Sequence, residues 1–479
     1  MLGAPVVAIS TWARRVELEY GLRHSGAVVL ITLRKFLSAD YLELLREVCP
    51  EIETSAPGKL QSAAFPRLRE VIVIGEPEGS TPRRFEDVEA IGQAVQDAAL
   101  HDAARHVNAR DMLFMLYTSG TTSTPKGVML AHYGCIENGF SIGERQHLTP
   151  ADRLWLAVPL FWSFGSANAI MALMTHGGTI VLQERFDPGE ALRLISAEQC
   201  TVYYGMPHMA RAMLEDPSWG RLRAVPLRTG LTIGTPEEVA MTMRDLGVSR
   251  LCNVYGATET YGNASVTDAH ESESVRLTTQ GRPLPGMTFK FVDPQTLSPL
   301  PPGEIGEICV RGYVTPGYYN APEHNARAFD AEGFFITGDL GFIDADGRVH
   351  FRGRLKDMIK SGGINISPLE VEEYLMTHPK VLQAFVIGVP DPVKGEVPIA
   401  VIELRPGEAA TAGEIQRFCR DSIASYKIPV SVVFRKSEEL PRTATGKVQR
   451  VRLRDEIAAL IERTPVQGEG EGQGWGSAR

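Results

Sequence analysis

The sequence predicts an α/β protein in three parts. A large N-terminal domain of parallel sheets with helices is followed by a small β-barrel-like subdomain and then a small α+β C-terminal domain. Three observations carry this. Short β-branched runs alternate with amphipathic stretches through the first half; the texture changes at about Gly281 to strands joined by Gly, Pro and Asp turns; it resets after Gly353. At 479 residues, two or three domains are expected.

In chain order the strand-like runs are "APVVAIS", "AVVLIT", "EVIVIG", "LFMLYT", "WLAVPL", "GTIVLQ", "TVYYGM" and "RLCNVYG". Helical patterns at Val88–Leu100, Pro188–Glu198 and Pro236–Asp245 lie between them, as parallel strands require. Residues 281–353 form the β-rich subdomain, from "MTFKFVD" and "GEIGEICVRG" to "GFFITGDLGFIDADGRVHFRGR". Its "DADG", Asp344–Gly347, reads as a hairpin turn, because most ligands of a calcium loop are missing.

The boundary between the large and small domains is expected at Gly353–Asp357, giving 1–353 and 354–463. Ser367-Pro368-Leu369-Glu370 is a capping box with proline at the first helical position, opening a helix through Met376. Strands "QAFVIGV", "PIAVIEL" and "SVVFRK" follow, with helices at Ala412–Ala424 and Val451–Glu462. The Gly/Glu-rich tail 464–479 is expected to be disordered.

Composition excludes some classes of function. A net charge of −9 leaves no basic surplus for a nucleic-acid backbone. Six cysteines lie far apart with no CxxC, so buried free thiols in a reducing compartment are expected. No apolar run is long enough for a transmembrane helix, and the first residues lack the pattern of a signal peptide. These features predict a cytoplasmic protein.

The chemistry begins with "YTSGTTSTPKGV". Thr118 to Gly127 hold six hydroxyl side chains, two glycines, one proline and one lysine. A connecting loop needs one or two turn residues, whereas this density of small donors around one cation suits an anion. A solvated Ser/Thr-rich loop is the bland alternative. The nucleoside-triphosphatase phosphate loop does not match, since Pro125 precedes Lys126 and Gly127 follows it.

Four further stretches share this character. "NVYGATE", Asn253–Glu259, combines an aromatic, a glycine, a hydroxyl and a carboxylate, fit to stack a ring, touch a phosphate and hold a hard cation. "TGDLG" places an acid in a tight turn, suited to a sugar diol. "GRLKDMIKSGG" sets Arg354, Lys356 and Lys360 around a glycine pair, and "PRTATGKVQR" presents Lys447 ahead of a helix. Singly, each reads as a structural turn or a solvated charge.

Together, in this order and spacing, they resemble the AMP-forming adenylating enzymes. That superfamily includes acyl- and aryl-CoA synthetases, non-ribosomal peptide adenylation domains and firefly-type luciferases. The resemblance runs from about Gly3 to Arg450, and "GYYNAPEHNARAFDAEGFF" and "GGINISPLEVEEYL" look closest to the acyl-CoA synthetases. It implies an ATP- and Mg²⁺-dependent ligase. A hydrophobic acid, fatty or aromatic, would become an acyl-adenylate with loss of pyrophosphate, then a thioester of coenzyme A. A ligase loading a carrier protein and a non-catalytic nucleotide-binding remnant stay open as alternatives, as does a homodimer. The resemblance also implies further elements ahead of "LGAPVVAISTW", so the N-terminal domain is expected to be truncated at its start.

The resemblance implies these roles. Thr118, Ser119, Gly120, Thr121, Thr122 and Lys126 would embrace the ATP phosphates, with Ser123 standing where the family usually has glycine. Tyr255 would stack on adenine beside Gly256, Asn253 would lie near its amino edge, and Gly234-Thr235-Pro236 would cover the other face. Thr258 would contact the α-phosphate, Glu259 would ligate Mg²⁺, and Asp339 and Arg354 would hold the ribose. Lys447 would bridge the attacking carboxylate and the α-phosphate. Lys356 matches the hinge of a rotating small domain. Gly362 and Gly363 would line the coenzyme A channel, with Lys360 beside it. Trp162, which stands where many relatives have histidine, would line the acyl pocket with Phe164 and Tyr261.

Overall fold

The computed structural model describes residues 3–37, 39–75, 82–118, 125–221, 226–362, 364–420, 422–442 and 448–463. Ser119–Thr122, Gly363, Lys447 and the 464–479 tail lie outside them. The chain divides into two compact units, residues 1–337 with 342–351 and residues 338–341 with 352–479.

The first unit opens with β1 (Val6–Ala8), helix Arg15–Ser25, and β2 (Val29–Leu33), β3 (Glu70–Ile74) and β4 (Arg83–Arg84), the last three forming a parallel sheet. Next come β5 (Met112–Thr118) and β6 (Lys126–Ala131). β1 pairs parallel with β5, and β5 pairs antiparallel with β6. The apolar residues after Lys126 therefore form the returning arm of a hairpin, and the following helix runs His132–Gln146.

The main sheet uses β7 (Arg153–Leu156), β8 (Thr179–Leu182), β9 (Val202–Tyr204), β10 (Thr229–Thr232), β11 (Arg250–Tyr255), β12 (Ser265–Val266) and β13 (Arg282–Pro283). Its order is β8-β7-β9-β10-β11-β12-β13, parallel up to β11 and antiparallel beyond. Trp155, Tyr203 and Tyr204 are fully buried at its centre. Such rings need polar partners when buried. Trp155 donates to Gln183 Oε1 at 2.9 Å, and Tyr204 Oη accepts from Gln146 Nε2 at 2.7 Å.

Sequence reasoning missed β10. "TGLT" lacks an apolar run, yet every residue is buried. Its two hydroxyls explain how: Thr229 donates to the Arg250 carbonyl and Thr232 to that of Gly205. The predicted helix Val88–Leu100 is instead two, Phe85–Gly92 and Asp97–Arg105, broken after Gly92. The β-rich segment forms one four-stranded sheet. β14 (Thr288–Val292), β15 (Gly306–Arg311), β16 (Phe335–Ile343) and β17 (Val349–Arg354) run in linear order as one sheet. "DADG" is a turn: Asp344 Oδ1 accepts from the Asp346 and Arg348 amides.

In the second unit, β18 (Ile359–Ser361), β19 (Ile364–Ile366), β20 (Val381–Asp391), β21 (Gly395–Leu404) and β22 (Ser431–Phe434) form one sheet. Side chains alternate across it. Val386, Ala400 and Ile402 pack with Val371, Leu375 and Ile415, while Ile387, Ile399 and Val401 pack with Leu453 and Ile457. Helices Pro368–Met376 and Ala412–Arg420 thus cover one face and Arg450–Arg463 the other. Ser367 caps the first of these by accepting from the Glu370 amide, but the Glu370 carboxylate turns to Lys427 rather than closing the box. Arg450 is tied to the buried Glu372, 2.6 Å away.

Candidate functional site

The β5–β6 hairpin places Thr118 and Lys126 on the same rung, opposite one another at the two feet of the hydroxyl-rich loop. Tyr20, on the helix Arg15–Ser25, donates to the Pro125 carbonyl at 2.7 Å and so anchors one foot. His24, one helical turn on, lies 2.9 Å from the Tyr117 hydroxyl beside the other. Burial pushes the His24 pKa down, so the ring is neutral near pH 7. Neither residue was found from the sequence, because nothing in "LEYGLRHS" signals a partner about a hundred residues away.

The carboxyl end of β11 supplies the second group. Asn253 and Tyr255 share one face of the strand, two residues apart. Tyr255 stacks on Phe351, with ring centroids 5.8 Å apart. Asn253 is buried; its Oδ1 accepts from the Val254 amide, and Nδ2 has no partner among the described residues. Gly256 passes so close to the Gly262 carbonyl that a Cβ would overlap it.

The turn Thr258–Thr260 is pinned by Thr260 Oγ1, which accepts from the Ala257 amide at 3.0 Å. Gly234-Thr235-Pro236 forms the N-terminal cap of helix Pro236–Arg244, with Thr235 and Glu238 bonded reciprocally.

Glu259 is half-buried. Its Oε1 accepts from the Tyr318 hydroxyl at 2.9 Å, and among the described residues Oε2 has no partner. One free carboxylate oxygen on a fixed turn is the kind of ligand Mg²⁺ takes, so the residues present fit that ion. Lys126 Nζ lies 5.1 Å from the centroid of the same Tyr318 ring. Tyr318 thus joins two predicted site residues, although the sequence marks it only as part of "GYYNAPEHNARAFDAEGFF".

The aromatics part company. Trp12, Phe161 and Trp162 meet edge to face at 5.1–5.9 Å. Ser163, which follows them, brings its Oγ within 3.3 Å of Thr258 Oγ1. Phe164 begins a π-helix, Phe164–Ile170, and packs on Tyr204. Tyr261 differs from its expected place. It has no exposed surface, its hydroxyl accepts from the Ala131 amide at 3.0 Å, and its φ of 58° is unusual for an aromatic residue. It braces the Glu259 turn from the core.

In the second unit, Asp339 is buried and pairs with Arg354 at 2.8 Å. Lys356 lies exposed on the short 3₁₀ turn Leu355–Asp357. Lys360 is exposed on β18, and Gly362 follows in the turn to β19 with φ of 57°. A Cβ at Gly362 would meet open space, so its glycine answers to backbone conformation rather than to crowding. The described flanks of the Lys447 loop, Arg442 and Val448, pair in an antiparallel bridge.

One other cluster, His147, Asp268 and His270, has metal-ligand composition. Its imidazoles are stacked 3.8 Å apart with planes 19° from parallel, so their in-plane lone pairs do not converge. Asp268 Oδ1 is already taken by His147 and by the His270 amide. The cluster is a hydrogen-bonded turn. All six cysteines are buried free thiols, and no helix among the described residues is long and apolar enough to cross a membrane.

Residues 1–319 match the family model of the AMP-binding enzyme, and 370–447 match the AMP-binding enzyme C-terminal domain. The chain belongs to the AMP-binding enzyme family. It is 36% identical to YngI of Bacillus subtilis (strain 168), provisionally named an acyl-CoA synthetase, over 97% of this chain and 85% of that protein. It is 33% identical to the mitochondrial medium-chain acyl-CoA ligase ACSF2 of Bos taurus, over 95% of this chain and 75% of the relative. Among solved structures it resembles the anthranilate CoA ligase AuaEII in complex with anthranoyl-AMP. The TM-score is 0.81 at 28% identity, covering 96% of this chain and 84% of that one. Within the AMP-binding family this chain is an AMP-forming acid:CoA ligase, which activates a carboxylic acid with ATP as an acyl-adenylate and transfers the acyl group to coenzyme A.

Proposed function

We propose that the acid is hydrophobic, fatty or aromatic, and that Mg²⁺ accompanies ATP. The observation that carries the substrate class is the Trp12–Phe161–Trp162 group, joined through Ser163 to Thr258 on the nucleotide turn. Indole and phenyl rings offer apolar surface with little rotamer entropy to lose, and none of these three carries a formal charge to offset that of a charged tail. The names of the relatives support the same class, one ligase for medium-chain acids and one for anthranilate.

In this reading Lys126 and the hydroxyl-rich loop hold the ATP phosphates, Tyr255 and Asn253 the base, and Asp339 with Arg354 the ribose. Mg²⁺, when bound at Glu259, neutralises phosphate charge. Lys447 faces the carboxylate and the α-phosphate as the two anions approach. A cation aimed at that developing charge, ~4 Å away at an effective dielectric of about 20, contributes ~4 kcal/mol, or roughly a thousandfold in rate. Lys356 is the hinge, and Lys360, Gly362 and Gly363 border the path of the coenzyme A thiol.

The test is acid-dependent exchange of labelled pyrophosphate into ATP over a panel of fatty, aromatic and small polar acids. Exchange confined to the hydrophobic acids is expected. A preference for small polar acids would overturn the substrate class. Thioester formation with free coenzyme A then separates this ligase from one that loads a carrier protein.

A further inference from the structure

Lys126 and Glu259 carry opposite charges and share Tyr318 as a neighbour, yet no ion pair within 4 Å joins them. The Tyr318 side chain contacts both, presenting its ring to the ammonium and its hydroxyl to the carboxylate. It is 7% exposed, so it has little freedom to swing aside.

Its backbone is held to both halves of the site. The Thr315 amide donates to the Glu259 carbonyl at 2.6 Å, and Thr315 Oγ1 donates to the Met129 carbonyl. The Met129 amide donates to the Gly317 carbonyl, and the Tyr319 amide to that of Gly127 at 2.8 Å. Tyr318 itself forms an isolated bridge with Val128 and exchanges two hydrogen bonds with the Asn325 side chain. The segment Thr315–Tyr319 therefore spans from the Lys126 strand to the Glu259 turn.

We propose that Tyr318 is a positioning residue that keeps the phosphate-binding cation and the metal-binding carboxylate apart and correctly aimed. Without it, two opposite charges in a partly buried site would close into a direct ion pair, and each would then be spent on the other rather than on nucleotide and metal. The hydroxyl occupies one oxygen of Glu259 and leaves the other for a divalent cation. The ring holds the ammonium by its quadrupole without neutralising it. The inference rests on the reading that Lys126 and Glu259 face MgATP.

Two variants separate the functions of ring and hydroxyl. Y318F keeps the ring and loses only the bond to Glu259. It is expected to raise the Mg²⁺ concentration for half-maximal pyrophosphate exchange by about ten- to a hundredfold, the range of one hydrogen bond to a charged group. The KM for the acid should not move. Calorimetric titration should show weaker binding of MgATP and unchanged binding of metal-free ATP. Y318L removes ring and hydroxyl, and should weaken metal-free ATP binding as well.

A merely structural role would instead lower the melting temperature and change acid and nucleotide parameters together. Unchanged Mg²⁺ dependence in Y318F, or equal shifts in the KM for acid and MgATP, would overturn the proposal. The wild-type chain in the same series is the control. If it shows no exchange, the reading of the site fails; if it exchanges and Y318F matches it, only the role of Tyr318 fails.

Discussion

Glu259 and Lys126 in the first unit are held from several sides, whereas Lys356, Lys360 and Gly362 in the second stand on exposed surface. The Glu259 turn is bound by Thr315, braced by Tyr261 and contacted by Tyr318, and the Lys126 strand is paired along its length with β5. In the second unit the firm contacts lie elsewhere, in the two-faced core and the Glu372–Arg450 pair. The difference teaches where each unit needs precision. Groups proposed to meet a phosphate and a metal are fixed before the ligand arrives, because preorganised charge need not reorganise during reaction. Residues proposed to act at a hinge and a thiol path need freedom instead.

The largest expected effect tests the proposed catalytic lysine, Lys447. Lys447→Ala should slow adenylate formation about a thousandfold, yet leave coenzyme A attack on supplied acyl-adenylate nearly intact. Equal losses in the two half-reactions, measured separately, would remove it from the first step.

Next is Lys356→Pro, which fixes a backbone torsion at the proposed hinge. Pyrophosphate exchange should persist while thioester formation falls about a hundredfold or more, a size set by a blocked conformational step. An enzyme that still completes both steps would show that the exposed turn is not the pivot.

A third prediction probes the first unit's rigidity. Asp152 is buried, and burial alone would raise its pKa. Hydrogen bonds from Arg228, Thr201 and the Thr149 amide outweigh that and hold it below the ordinary carboxylate range. A depressed folded-state pKa adds stability that is fully present above the unfolded value of about 4 and is lost as pH falls through the folded value. Asp152→Asn should therefore cost about 1–3 kcal/mol at pH 7 in urea unfolding. The gap to wild type should narrow below pH 4; a gap that stays constant with pH would assign the loss to packing.

The smallest effect is at the aromatic wall. Trp162→Ala should shift the acid preference toward bulkier substrates by about tenfold, the scale of a few methylenes in an apolar pocket. An unchanged ranking across the acid panel would take Trp162 out of the substrate site.

Legibility followed local pattern. The strand runs "EVIVIG" and "LFMLYT" were readable because β-branched and aromatic residues mark them, and β3 and β5 formed there. β10 was not, because its buried threonines find partners on other strands. The same divide runs through the site. Thr118, Lys126, Tyr255 and Glu259 announce themselves in short, dense motifs. Tyr20, His24 and Tyr318 act through contacts about 60 to a hundred residues distant, which no local spacing reveals.

The sequence by itself determined the family, most of the elements and the chemical types proposed to surround the nucleotide, since these depend on local composition and on motifs read along the chain. The tertiary structure alone decided which of those groups are braced and which are free. It turned Tyr261 into the core, paired Asp339 with Arg354, and set Tyr318 between a cation and an anion. The physical reason is that a charge's availability depends on what lies within a few ångströms of it, and those neighbours come from distant parts of the chain.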